Sequence, residues 1–141
     1  MDIRTLTPTH AVSPQIDPTD FPAIAKAGFQ TVICNRPNEE IPPSHHDDVM
    51  ATAAKAAGLD FVVLPVTHQT MTSDLVASQA DVLANASGPV LAYCASGTRS
   101  TIVWALGQAK NMEADDIIAA AAAAGYDIAG LRGQLEMLAK A

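Results

Sequence analysis

The feature of this sequence that most restricts its fold is a repeated alternation of short apolar runs with helix-like stretches. Four runs have the length and the apolar, often β-branched content of strands: residues 10–16, 31–34, 61–64 and 90–93. The stretches between them carry helix-start residues and end near glycine, at residues 17–28, 49–57 and 74–86, and helical patterns continue after residue 100. Such alternation predicts an α/β fold, a single domain over residues 1–141 with a mainly parallel central sheet of about four strands covered by helices.

The composition excludes several classes of protein. Of the 141 residues, 49% are hydrophobic and 16% are charged, which is enough apolar material for a core. The net charge of −7 argues against nucleic acid and against an anionic membrane as partners. No apolar run has the length of a membrane span, and the first residues lack an export signal. Because two cysteines make no disulfide framework, we expect a cytoplasmic protein with two free thiols.

Both cysteines lie at the ends of predicted strands. Cys34 closes the run 31–34, and Cys94 directly follows the run 90–93. In open parallel sheets, ligands bind beyond the carboxyl ends of the strands. The two thiols are therefore expected at the edge of the sheet that carries the functional site.

The loop that begins at Cys94 has the residues of an anion-binding loop around a nucleophile. Its small residues permit a tight turn, so that backbone N–H groups and the positive end of the following helix converge on one anion. The same field favours the thiolate, the form of cysteine that attacks. Gly97 allows a left-handed backbone, and Arg99 offers a planar, two-pronged clamp for an oxyanion.

The remaining residues of the loop are given supporting roles. Ser100 is expected to cap the helix and to donate a hydrogen bond to the Cys94 sulfur. Ala95, Ser96 and Thr98 complete the cradle, and the two hydroxyl groups are expected to tune the thiolate. The alternative interpretation is a buried core cysteine followed by a solvated arginine at a helix start.

The sequence resembles a known family in several segments. The pattern Cys-x-x-Gly-x-Arg-Ser at residues 94–100 is similar to the active loop of protein tyrosine and dual-specificity phosphatases and of rhodaneses. The wider pattern resembles the DUF442 group, the phosphatase-like domain of β-lactamase hydrolase-like proteins, at Val12-Ser13-Pro14-Gln15, Val32-Ile33-Cys34-Asn35-Arg36-Pro37, Glu39-Glu40 and residues 93–100. This resemblance runs from about residue 8 to residue 110 and implies a protein-tyrosine-phosphatase-like α/β fold.

Two departures from the phosphatase pattern favour sulfur transfer. The active loop of those phosphatases has the pattern His-Cys-x5-Arg. In this sequence four residues separate Cys94 from Arg99, as in rhodaneses, and Tyr93 stands in place of the histidine. Those phosphatases also place an Asp general acid on the loop after the preceding strand, but residues 65–71 contain no carboxylate. A positioned acid accelerates ester cleavage about 10²–10⁴-fold. Sulfur transfer from thiosulfate releases sulfite and needs no such acid.

The leading hypothesis is therefore a rhodanese-like sulfurtransferase that moves sulfur from thiosulfate or a persulfide to a thiol through a Cys94 persulfide. The alternative is a tyrosine- or dual-specificity-like phosphatase with a Cys94 phosphocysteine intermediate. A second alternative is a non-catalytic module that binds an anion or a partner protein. The expected ligand is a small anion, and the candidate partner is a sulfur-metabolism enzyme or a phosphoprotein. No metal and no organic cofactor is implied.

Asn35 and Arg36 are candidate substrate-binding residues. They follow the strand that ends in Cys34, so they should lie beside the Cys94 loop. Arg36 either binds the substrate anion or pairs with a neighbouring glutamate, Glu39 or Glu40.

Cys34 and His68 each have a functional and a structural interpretation. Cys34 is a small apolar strand residue by default, or else a thiol that accepts sulfur from Cys94 or traps oxidised Cys94 as a disulfide. His68 lies on the loop that lacks the Asp, where it would donate a proton, face the substrate or be an exposed polar residue.

Overall fold

The four predicted runs form the parallel part of a five-stranded sheet. The computed structural model, which describes residues 1–67 and 69–141, has the strand order β1-β2-β5-β3-β4. The strands are β1 (Arg4–Thr7), β2 (His10–Ser13), β3 (Thr31–Cys34), β4 (Asp60–Val63) and β5 (Val90–Tyr93). Strands β2, β5, β3 and β4 run parallel, and β1 pairs antiparallel with β2 at one edge. The predicted α/β class with a mainly parallel sheet is confirmed, with one strand more than expected.

Helices cover both faces of this sheet. They are α1 (Phe21–Lys26), α2 (Asp47–Ala56), α3 (Ser73–Asn85), α4 (Thr98–Gly107), α5 (Ala114–Ala123) and α6 (Arg132–Lys140). Successive side chains of a strand point to opposite faces, so Ala92 packs into one core cluster with Trp104 while Tyr93 packs into the other with Phe21 and Met50. Each such fully buried large side chain contributes about 1.5–3 kcal/mol to folding. Burial on both faces explains why β5 is a continuous apolar run.

The register of the strands places the loop that begins at Cys94 at the middle of the carboxyl-terminal side of the sheet. Ser13 of β2 and Cys34 of β3 both lie opposite Tyr93 of β5. The chain therefore leaves these three neighbouring strands at the same level, and Cys94 emerges between the segments that follow β2 and β3. Ligands bind where connections diverge at such an edge.

None of the helices within residues 1–67 and 69–141 combines the length and the apolar content needed to span a bilayer.

Candidate active site

The Cys94 sulfur lies at the base of the loop between β5 and α4. Cys94 is fully buried at 0% exposure, and its sulfur accepts a hydrogen bond from the Gly97 N–H at 3.1 Å. Gly97 has φ +95° and immediately precedes α4, so the loop turns through a left-handed residue into the positive end of a helix. This arrangement supplies a backbone donor and a helix dipole to a negative charge on or above the sulfur.

Three successive carbonyl groups of the loop are bonded to elements outside it. The Ala95 oxygen accepts from the Gln15 N–H at 3.2 Å, the Ser96 oxygen from the Tyr126 hydroxyl at 2.8 Å, and the Gly97 oxygen from the Thr101 N–H at 3.0 Å. In a trans peptide the C=O and N–H groups point in opposite directions. The N–H groups of the same peptides therefore point to the inner side of the loop, where Gly97 N–H donates to the Cys94 sulfur and Thr98 N–H lies 3.4 Å from Ser96 Oγ.

Among the described residues, Arg99 makes three hydrogen bonds, and these leave one edge of its guanidinium group available. Nη1 donates to Glu40 Oε2 at 2.7 Å and to the Val66 carbonyl at 2.8 Å, and Nη2 donates to Glu40 Oε1 at 2.7 Å. A guanidinium group has five N–H donors in a fixed plane, so Nε–H and the second Nη2–H remain on one edge. Hydrogen bonding to Glu40 raises the pKa of Arg99, and the nearby Cys94 sulfur acts in the same direction. Arg99 is thus oriented as a two-pronged donor beside the thiol.

Glu40 joins Arg99 to Arg36. The Arg36 Nε lies 3.3 Å from Glu40 Oε1, and its Nη2 donates to the Glu40 carbonyl oxygen at 3.3 Å. Hydrogen bonding to Arg99 lowers the pKa of Glu40, and contact with Arg36 lowers it further. Glu40 is therefore a carboxylate that orients two arginines and a poor proton donor. Arg36 lies beside the site as predicted. Of the two roles proposed for it, substrate binding or pairing with a glutamate, the structure shows the pairing, with Glu40.

Ser100 does not donate its hydroxyl to Cys94. Its Oγ donates to Asn35 Oδ1 at 2.9 Å, and Asn35 Nδ2 in turn donates to Gln79 Oε1 at 2.7 Å and to the Leu64 carbonyl at 2.9 Å. Both predicted roles of Ser100 are wrong. The N-cap of α4 is Gly97, with no side-chain capping bond, and the first turn of α4 directs the Ser100 hydroxyl toward the end of β3 and away from the sulfur. There it donates to the Oδ1 of Asn35, a residue buried at 0% exposure, and this oxygen would otherwise be left unpaired.

The other predicted site residues are divided between the surface and the core. The exposed Ser96 and Thr98 hydroxyls bond to each other at 3.0 Å, and Ala95 is exposed. Cys34 is 1% exposed in the core, its S–H donates to the Arg36 carbonyl at 3.4 Å, and burial raises the pKa of its thiol. Both cysteines are free thiols. His68 lies outside the described residues.

A cleft of about 670 Å³ opens beside Arg99. Its walls combine Glu40, Thr98 and Arg99 with the apolar side chains of Met71, Ile102 and Leu131. Within the described part of the chain, no group of three or more His, Cys, Asp and Glu side chains is placed to hold a metal ion. The cleft therefore offers an anion clamp next to an apolar wall.

The mainly parallel sheet, with a cysteine after its central strand and an arginine at the end of the following loop, gives the chain a protein-tyrosine-phosphatase-like fold. The chain belongs to the family of the phosphatase-like domain of β-lactamase hydrolase-like proteins, which matches residues 2–111. The resemblance predicted from the sequence is confirmed.

Curated relatives carry the name β-lactamase hydrolase-like protein. One from Agrobacterium fabrum (strain C58) is 37% identical over 90 residues, which are 64% of this chain and 21% of that protein. One from Xylella fastidiosa (strain Temecula1) is 30% identical over 130 residues, which are 91% of this chain and 30% of that protein. The chain therefore spans about a fifth to a third of the length of the curated relatives it matches.

Solved structures support the same class. A Neisseria meningitidis Z2491 protein with a provisional phosphatase assignment superposes with a TM-score of 0.82 at 34% identity, covering 98% of this chain and 99% of that one. The catalytic core of the S. cerevisiae PP-IP phosphatase, in complex with citrate, has a TM-score of 0.71 at 15% identity, covering 97% and 85%. P. aeruginosa TpbA, in complex with phosphotyrosine, has a TM-score of 0.61 at 18% identity, covering 95% and 90%. The last two show that the fold is shared.

Proposed function

We propose that this chain is a cysteine-dependent phosphatase with Cys94 as its nucleophile. The observation that carries the proposal is the placement of the Cys94 sulfur, which accepts the Gly97 N–H at 3.1 Å beside an arginine fixed by Glu40. Such a site stabilises negative charge both on the sulfur and on an oxyanion above it. The family and the structural neighbours support the phosphatase alternative over the sulfur transfer that we favoured from the loop length and the missing Asp acid.

In the first step, the Cys94 thiolate attacks phosphorus, an S–P bond forms, and the ester P–O bond breaks. The three equatorial oxygens carry charge in the transition state. The Arg99 edge formed by Nε–H and Nη2–H matches two of these oxygens, and the loop N–H groups receive the third. The leaving oxygen departs with the bonding electron pair.

In the second step, water attacks the phosphocysteine, the S–P bond breaks, and inorganic phosphate and the thiolate are regenerated. The attacking oxygen keeps one of its protons as a P–OH group, and the other proton passes to a phosphate oxygen or to solution. The described residues of the loop after β4, at 65–67 and 69–71, carry no carboxylate, and Glu40 is held as an anion by two arginines.

The first step therefore favours substrates whose leaving group departs without protonation. Aryl phosphates with acidic phenols and phosphoric anhydrides satisfy this condition, and alkyl phosphates do not. The apolar wall of Met71, Ile102 and Leu131 beside Arg99 supports recognition of an aromatic or otherwise apolar group on the phosphate. The cytoplasmic location and a phosphoprotein partner stay predictions.

The test is the release of inorganic phosphate from a series of aryl phosphates with graded phenol pKa values and from one alkyl phosphate. We expect a steep decline of kcat/KM as the phenol becomes less acidic, and a Cys94→Ser variant without turnover. A flat dependence on the phenol would contradict the leaving-group argument, because it indicates an acid in the first step.

A mass measurement distinguishes the two chemistries. Reduced protein is incubated with thiosulfate beside the Cys94→Ser control. Addition of one sulfur atom to Cys94, without phosphate release from any ester, would replace the phosphatase proposal by sulfur transfer. If neither reaction is observed, the loop is an anion-binding or partner-binding site without catalysis.

A further inference from the structure

Tyr126 reaches the active loop from the C-terminal part of the chain. It follows α5, is only 6% exposed, and lies beyond residues 2–111, the part matched by the family. Its hydroxyl donates a hydrogen bond to the Ser96 carbonyl at 2.8 Å. Ser96 is the second residue after the proposed nucleophile, so this contact joins a distant segment to the loop backbone.

The bonded carbonyl and the donor to the nucleophile belong to one peptide group. The Ser96 C=O accepts from Tyr126, and the N–H of the same peptide, that of Gly97, donates to Cys94 Sγ at 3.1 Å. A trans peptide is planar, and its C=O and N–H point in opposite directions. A bond that fixes this carbonyl on the outer side of the loop therefore fixes the N–H toward the sulfur.

This peptide needs such a constraint because it precedes a glycine. Gly97 has φ +95°, which a residue without Cβ adopts about as readily as negative φ. Rotation of the peptide between Ser96 and Gly97 is therefore cheap, and it would turn the N–H away from the anion. A Cβ built on Gly97 would lie 2.0 Å from the Tyr126 hydroxyl oxygen, so the close contact itself requires glycine at this position.

We propose that Tyr126 is a positioning residue, which holds the Ser96–Gly97 peptide in the orientation that directs the Gly97 N–H to the Cys94 sulfur and to a bound oxyanion. Tyr126 touches neither the substrate nor the reacting atoms in this role. It acts only through the peptide. The inference rests on the proposed anion-binding role of the loop and does not require phosphatase turnover.

The test uses Tyr126→Phe, which removes one oxygen atom and keeps the ring. The rate of Cys94 alkylation by iodoacetamide is measured against pH, and the dissociation constant of inorganic phosphate is measured by its protection of Cys94. We expect phosphate binding to weaken about three- to tenfold, the ratio that corresponds to one neutral hydrogen bond. The alkylation midpoint should rise by about half to one pH unit, because the thiolate loses part of its donor.

The matched control is Arg4→Met. The Arg4 guanidinium lies 5.1 Å from the centre of the Tyr126 ring, and its Nη1 donates to the Ala124 carbonyl at 3.2 Å. This variant loosens the same packing without removing the hydroxyl. Its alkylation midpoint and phosphate affinity should stay at the wild-type values.

Unchanged phosphate affinity and alkylation midpoint in Tyr126→Phe would overturn the proposal, as would equal changes in Arg4→Met. If Tyr126→Phe melts near the assay temperature, the comparison is repeated in trehalose, which favours the folded chain by exclusion from its surface. Failure of the proposed function would be seen separately, as absence of phosphate release by the wild-type protein.

Discussion

Replacement of Glu40 by Gln tests whether this carboxylate assists the site or obstructs it. Glu40 accepts two hydrogen bonds of 2.7 Å from the terminal nitrogens of Arg99. Glutamine keeps the shape of the side chain but offers one acceptor and one NH₂ donor. One Arg99 donor would then face another donor, so the guanidinium group would leave its present orientation.

The size of the effect follows from the exposure of the pair. Hydrogen bonds to charged groups contribute about 1.5–3 kcal/mol when buried, and exposed ion pairs about 0.2–1 kcal/mol. The Arg99 and Glu40 side chains are 25% and 34% exposed, which places this pair between the two limits. We take about 1–2 kcal/mol, which corresponds to a loss of about 5–30-fold in rate if the orientation of Arg99 matters in the transition state.

The assay is steady-state hydrolysis of an aryl phosphate with an acidic phenol. We expect kcat to fall about 5–30-fold in Glu40→Gln while KM does not rise, because removal of a negative charge leaves both arginines more attractive to the anionic ground state. Glu39→Gln is the control, since it removes the same charge from an exposed neighbour in the same turn. An unchanged or higher kcat in Glu40→Gln would refute the reasoning and make Glu40 a competitor of the substrate.

Two further predictions concern stability. His10 is 3% exposed, and burial lowers its pKa from 6.5 to about 4. Between pH 6.5 and pH 4, the unfolded chain therefore binds a proton at His10 that the folded chain does not bind. The free energy of unfolding, measured by denaturant titration, should fall by up to about 3 kcal/mol as the pH is lowered through this range. His10→Gln should flatten this slope and His46→Gln should keep it; equal slopes in all three proteins would contradict the assignment. Ser100→Ala should lower the free energy of unfolding by about 1–3 kcal/mol, because it leaves the buried Asn35 oxygen unpaired. If the variant is as stable as the wild type but the pH midpoint of Cys94 alkylation rises, Ser100 contacts the sulfur after all.

The sequence predicts the strands that are continuous apolar runs and misses the one that is not; β4, predicted at 61–64 and observed at Asp60–Val63, was found although its residues are exposed or half-buried. β3 and β5 occupy residues 31–34 and 90–93 as predicted, because both are buried on both faces and read as continuous apolar runs. β1 was missed because it is an edge strand in which Leu6 alone is buried, so Arg4–Thr7 has no apolar pattern. The start of α3 was misassigned by one residue, since the Thr72 hydroxyl accepts the capping bond from the Leu75 N–H.

In the candidate site, the residues that are close in the sequence were predicted, and the contacts between distant residues were not. Cys94 and Arg99 were found because they share one short loop, whose chemistry is contained in six consecutive residues. The contacts of Arg99 with Glu40 and of Ser96 with Tyr126 join residues 59 and 30 positions apart, and no periodicity in a single sequence reports them. A short polar side chain at a helix start has several partners within reach, and only the packed structure selects one.

The outward carbonyl groups of the active loop give it a preference for the charge state of its ligand. The oxygens of Ala95, Ser96 and Gly97 all accept hydrogen bonds from outside the loop, so the N–H groups of these peptides lie on the other side, the side of the Cys94 sulfur. A phosphoryl group that retains a proton would place its P–OH donor against the N–H donors of the loop. A dianion has acceptor oxygens only, which these donors can bind. Phosphate monoesters lose their last proton near pH 6. If the loop binds a phosphate monoester as proposed, its affinity should rise as the pH passes through that value, because the dianion becomes the main form of the ligand.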